Sequence, residues 1–172
     1  MSFYLTWIIA EHNQAKRICD VKNEFNENLP RLEIKGLSQL ELSFLWAIIK
    51  SNPSIDDPKV EWNPDYSSNY ASKPLATIPD LIGLSQAEAE NIVAKKGLST
   101  VQEVSTDFIS LLAELLPEDI DKYAIHWKKY EEMQTYCELY ENTSLAEIIR
   151  DLSAFARESI KCELPVLDHS VI

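Results

Sequence analysis

The 172-residue chain reads as an α+β protein, predominantly α-helical, with a small N-terminal two- or three-stranded sheet followed by a helical layer or bundle of about five helices. Three observations lead there. Aromatic and β-branched residues crowd Phe3 to Ala10, the signature of a strand. From Gln39 onward, apolar residues recur at spacings of three and four, the period of a helix face. Ser followed three residues later by Glu or Gln occurs at Ser38–Glu41, Ser85–Glu88, Ser99–Gln102 and Ser144–Glu147, the pattern of a helix capping box.

Taken in order, Phe3 to Ala10 is the first strand. Glu11 to Lys22 places Ala15, Ile18, Cys19 and Lys22 on one helical face, and Asn23 to Pro30 is a loop rich in Asn. Arg31 to Lys35 alternates Leu32 and Ile34 with charge, as a half-buried strand does. Gln39 to Lys50 carries Leu42, Leu45, Trp46 and Ile49, apolar enough to be central, with Leu37 and Leu42 placed as a hydrophobic staple. Ser51 to Asp80 holds five of the eight prolines and shows no periodicity. Gln86 to Lys96 is a helix closed by Gly97, with Lys95 and Lys96 at its negative end. Val101, Val104, Phe108, Leu112 and Leu115 fall at helical spacing behind Ser99, so Thr100 to Leu116 reads as a helix. Pro117-Glu118-Asp119 opens a long helix to Tyr140, and Ser144 opens the last, with Ile148, Ile149, Leu152, Phe155, Ala156 and Ile160 inward. Residues 164–172 read as a tail. The whole is expected to be one domain over 1–172: a β-α-β-α portion (1–50), a Pro-rich connection (51–80), a helical portion (81–163) and the tail.

The stretch from Ile78 to Leu98 resembles the first half of a PASTA repeat, the extracellular domain of penicillin-binding proteins and bacterial Ser/Thr kinases. Pro79, Asp80, Gly83-Leu84-Ser85, Glu88-Ala89 and Gly97-Leu98 carry the resemblance, over just over twenty residues. A PASTA repeat would continue into two strands, whereas this chain continues into the helical spacing of Val101 to Leu115. It also shows neither tandem copies nor a membrane anchor. No cell-wall ligand is carried over.

Charge narrows the function classes. There are 28 acids against 16 Lys and Arg, a net charge of −12. Residues 1–50 are neutral, with six of each sign, and the excess divides into six in 51–116 and six in 117–172. Duplex nucleic acid and anionic membrane both require clustered cations, so neither is expected as a partner. The longest apolar run, Phe44 to Ile49, is far too short to span a membrane. Cys19, Cys137 and Cys162 are scattered and show no ligand-like spacing with His12, His126 or His169. Each reads as a small buried hydrophobe, no metal and no cofactor is indicated, and a cytoplasmic setting is expected. Ser170-Val171-Ile172 matches a PDZ ligand and is treated as tail.

No catalytic motif stands out. His126 has Lys122 and Lys129 as helical neighbours and reads as structural. A Ser-His or Cys-His set would have to assemble from distant positions. The candidate site is therefore the Pro-rich segment, where Asp56, Asp57, Glu61 and Asp65 are interleaved with Trp62, Tyr66 and Tyr70. Aromatics supply contact area at low entropic cost and acids complement a basic partner. Against this stands a loop that folds its aromatics onto its own core and leaves solvated acids around them. The expectation is a non-enzymatic, acidic, cytoplasmic protein-binding domain, such as a bacterial immunity or inhibitor-type protein that neutralises a basic toxin or nuclease. The competing classes are a small enzyme with a site built from distant residues and a homo-oligomeric structural subunit.

Overall fold

The computed structural model describes residues 4–20 and 28–172. Phe3, the last turn of the expected first helix at Lys22, and most of the expected loop Asn23–Pro30 lie outside the described residues. In chain order the elements are β1 (Tyr4–Ile9), α1 (Ala15–Cys19), β2 (Arg31–Lys35), α2 (Gln39–Ser51), α3 (Pro64–Asn69), β3 (Ala76–Ile78), α4 (Gln86–Lys96), β4 (Ser99–Glu103), α5 (Thr106–Ala113), α6 (Pro117–Trp127), α7 (Glu131–Leu139), α8 (Leu145–Cys162) and β5 (Val166–Val171). A single 3-10 turn, His12–Gln14, precedes α1.

The mixed, helix-dominated α+β character stands, but the small N-terminal sheet does not. The sheet has five strands in the order β2-β1-β5-β4-β3, antiparallel throughout. Three of its strands were not foreseen. Residues 164–172 are not a tail: β5 occupies the middle of the sheet, with Ile8 opposite Leu167 on one side and Glu103 opposite Leu167 on the other. Ser99 caps no helix but opens β4, and the helix expected from Thr100 to Leu116 shrinks to α5. Val101 and Val104 stand three apart, a helical spacing, but the pairing of Ser99–Glu103 with β5 overrides it, and Phe108 and Leu112 keep their helical places in α5. Gly97-Leu98 does lead into a strand, but only into one: α5 follows β4, so the chain still departs from the two strands of the PASTA pattern. The long helix to Tyr140 is two helices, because Tyr130 leaves the helical conformation (ψ 140°) without any Gly or Pro to announce it.

The chain divides into two compact units, each made of separated segments. The first comprises Met1–Gly36, Ala71–Val104 and Leu164–Ile172; the second comprises Leu37–Tyr70 and Ser105–Glu163. The first unit holds the whole sheet. Opposed residues share a face, so Ile8, Leu167 and Val101 fall together, and α1 buries Ala15, Ile18 and Cys19 against them. Both sheet edges are blunted: β2 exposes Arg31, Glu33 and Lys35, and β3 is only three residues long, flanked by Pro74 and Pro79. Ser85 and Glu88 form the capping box of α4, and the hydrogen bonds from Ser85 hold the Glu88 carboxyl below its ordinary range. Helix α4 ends at Gly97, whose φ of +73° and ψ of 178° favour glycine.

The second unit is built on α2. Ser38 and Glu41 form its capping box, Leu37 and Leu42 are fully buried beside it, and it buries every residue from Leu42 to Ile49. Ser144 caps α8, accepting the Glu147 amide at 3.3 Å. The buried stripe of α8 is Leu145, Ile149, Leu152 and Ala156, while Ile160, expected inward, is exposed. The Ser153 hydroxyl donates to the Leu112 carbonyl at 2.7 Å and ties α8 to α5. The turn into this helix is Tyr140–Thr143, closed by the Thr143 amide donating to the Tyr140 carbonyl at 2.9 Å.

Candidate functional site

Residues 52–70 leave α2 and return over the second unit as a strap. Asn52 takes a left-handed conformation (φ 46°) that turns the chain out of α2. Between Ser54 and Asp57 the chain closes a tight turn: the Asp57 amide donates to the Ser54 carbonyl at 3.0 Å, and the Ser54 amide to Asp57 Oδ2 at 2.8 Å. Asn63 caps α3 by accepting the Asp65 amide at 2.9 Å, with Pro64 in the first turn.

A segment without regular structure has to satisfy its carbonyls some other way. Here one face of α6 and the turn after it supplies the donors. Lys122 Nζ and Tyr123 OH donate to Asn52 Oδ1 at 2.8 and 2.9 Å. His126 Nε2 lies 2.8 Å from the Ser54 carbonyl, Lys129 Nζ 2.7 Å from that of Asp57, and Tyr130 OH 2.7 Å from that of Val60. The spacing of 122, 123, 126, 129 and 130 is that of one helical face. A carbonyl only accepts, so the Ser54 contact places a proton on His126 Nε2, and Lys129 Nζ lies 3.4 Å from the ring's Nδ1. His126 is fully buried with both ring nitrogens engaged, which suits an anchor and not a general base.

The aromatic residues of the strap turn inward. Trp62 donates its indole N–H to Ser43 Oγ at 2.9 Å and meets the edge of Phe44. Tyr66 packs edge-on against Trp46, and Tyr70 is fully buried with its ring 6.1 Å from Phe108. Phe44 in turn stacks on Tyr130 at 4.3 Å, the two rings within 1° of parallel. Burial, followed by the nearby Glu132 and Tyr66, pushes Tyr130 up to about 12. Of the seven candidate residues, then, Trp62 and Tyr66 are half-buried, Tyr70 presents no surface, and Asp56, Asp57, Glu61 and Asp65 are exposed. Among the described residues none of these four carboxylates takes part in an ion pair.

A second polar cluster lies in the first unit, and no local motif signalled it. Ser99 of β4, His169 of β5 and Cys19 of α1 meet on the sheet face that α1 covers. The Ser99 hydroxyl donates to the Cys19 carbonyl at 2.7 Å, Cys19 Sγ donates to the Ser99 carbonyl at 3.0 Å, and His169 Nε2 lies 2.8 Å from Ser99 Oγ. A hydroxyl has one proton, and this one is held by a carbonyl, so His169 is the donor to Ser99. That polarity is the reverse of what an activated serine needs. Burial, and then Arg31, pushes His169 down, while burial pushes the Cys19 thiol up. The set assembled from distant positions is therefore structural. All three cysteines are free thiols, but only Cys19 is buried: Cys137 is half-buried and Cys162 exposed, so the expectation of three buried cysteines fails.

Among the described residues no three His, Cys, Asp or Glu side chains gather as a metal site, and no helix is long and apolar enough to cross a membrane. Ser170 to Ile172 are held in the sheet, where Ile172 exchanges backbone hydrogen bonds with Leu98. No family model, curated protein or solved structure matches the chain, so the PASTA resemblance rests on the residues of 78–98 alone.

Proposed function

We propose that the protein is a non-enzymatic binding domain that docks a basic protein on the outer face of the 54–65 strap. The observation that carries this reading is the division of labour in the strap. Its carbonyls are bound from behind by α6 and the turn after it, while Asp56, Asp57, Glu61 and Asp65 face outward without ion-pair partners among the described residues. A surface ordered before binding loses less conformational entropy on association. Exposed Ile55 and the half-buried Trp62 add apolar contact area within the same acidic stretch.

Charge distribution supports the same reading. The second unit carries 18 acids against 8 Lys and Arg, and the first unit 10 against 8, so nearly all of the net charge belongs to the unit that bears the strap. Such a field chiefly raises association rates and weakens as salt screens it. Small size, acidity and the lack of a catalytic motif together favour an immunity or inhibitor-type role against a basic toxin or nuclease. Three free thiols fit a reducing cytoplasm. The test is capture of partners from the native cell at low and at high salt. Enrichment of a basic protein at low salt that is lost at high salt supports the proposal. If no basic protein is enriched at either, the proposal fails.

A further inference from the structure

The first unit carries an open groove of about 780 Å³, whose lining does not include Cys19, Ser99 or His169. It runs along residues 74–78 and the turn at 80–82, with Lys16 of α1 and with Leu98 and Thr100 at β4. Its size falls within the roughly 300–1,000 Å³ of small-molecule sites. The lining is mostly aliphatic, and much of it stands in water: Leu75 is 40% exposed and Ile82 90%. With Leu84 these are three of the four exposed large apolar side chains described in this unit, all within ten residues of sequence. Concentrated exposure of that kind marks a surface that is covered in use.

An added peptide strand is a poor occupant. β3 offers only three residues of edge, and Pro74 and Pro79 on either side of it have no N–H to pair. Beside the hydroxyls of Thr77 and Thr100, two charged side chains supply polarity. Asp80 is already engaged, since its Oδ1 accepts the Ile82 amide at 3.0 Å. Lys16 is the one cation of the lining, and among the described residues it has no ion-pair partner. We infer that the groove binds a small amphiphile with an aliphatic body and a single anionic head, the body lying on Leu75, Ile78, Leu81 and Ile82 and the head meeting Lys16.

The probe is octanoate, titrated below its micelle concentration into the isotope-labelled full chain and followed by amide chemical shifts, with octylammonium and octanol in parallel. Octanoate should shift the amides of residues 74–82 and 98–100 saturably, with a Kd of about a few millimolar or tighter, and bind at least about tenfold better than the other two, a gap of roughly 1.4 kcal/mol. Lys16→Glu should weaken octanoate about tenfold or more and Lys16→Arg should retain it. Ile82→Asp, which changes a side chain that packs on little, should weaken it as well. No saturation by about 10 mM overturns the inference. So do shifts centred elsewhere, octylammonium binding as tightly as octanoate, or indifference to Lys16→Glu.

Discussion

Tyr130→Phe isolates one anchor of the strap. The ring stays, so its stacking on Phe44 is kept, and only the hydroxyl that donates to the Val60 carbonyl is lost. Val60 is half-buried, so water can replace part of the bond, and the expected cost at neutral pH is about 1 kcal/mol, within the roughly 0.5–1.5 kcal/mol of a typical hydrogen bond. Alkaline pH reverses the order of the two chains. Native Tyr130 holds its proton up to about 12, whereas an unfolded tyrosine loses it near 10. Between those values the unfolded state binds fewer protons than the native one, so the wild type loses stability as pH rises. The loss from Tyr130 reaches roughly 1.4 kcal/mol near pH 11 and roughly 2.3 kcal/mol by pH 12. Phenylalanine has no proton to lose, and every other titrating group is common to both chains. Urea unfolding followed by circular dichroism at a series of pH values should therefore show Tyr130→Phe as the less stable chain at neutral pH, with the two curves crossing near pH 11. A stability difference that stays constant with pH, or a variant that is no less stable at neutral pH, would refute the assignment of Tyr130 as a buried anchor.

Three further outcomes are expected. Gly97→Ala forces a side chain into a glycine backbone conformation and brings its Cβ within 2.8 Å of the Ile172 carbonyl oxygen, so urea unfolding should show a loss of about 2 kcal/mol or more; Gly83→Ala, at φ +79° with open space around it, should cost only about 1 kcal/mol. Ser38→Ala removes the acceptor of the Leu40 amide at the start of α2 and should cost about 1 kcal/mol in the same assay. A thiol reagent added to the native protein should modify exposed Cys162 first and leave Cys19 unmodified until the chain unfolds; equal reactivity of the three would contradict the packing around Cys19.

Local chemistry made much of this fold legible. Ser38–Glu41 and Ser85–Glu88 announce α2 and α4, Pro117 with two acids announces α6, and the crowding of Leu5, Trp7 and Ile8 announces β1. What sequence reading missed depends on partners far along the chain. β5 mixes Val166 and Leu167 with Asp168, His169 and Ser170, a pattern that earns a central place only because β1 and β4 bracket it. Ser99 and Gln102 imitate a capping box, but Ser99 directs its hydroxyl to Cys19, eighty residues away in sequence. The break at Tyr130 follows from a stack on Phe44 and a bond to Val60, neither of which leaves a local mark. For the candidate site, the seven residues were found by composition, but their division was not: acids outward, Trp62 and Tyr66 half-turned in, Tyr70 buried. The anchors His126, Lys129 and Tyr130 do stand at helical spacing, yet their acceptors are backbone carbonyls, which no side-chain pattern specifies.

The binding role of the strap is tested most directly by neutralising it. The variant Asp56→Asn, Asp57→Asn, Glu61→Gln, Asp65→Asn keeps the shape of the outer face and the α6 anchors while removing its charge. Captured from the same cells at low salt, the basic protein retained by the wild type should be lost from this variant, with circular dichroism and thermal unfolding close to those of the wild type. Equal retention by both chains would contradict the proposed docking surface.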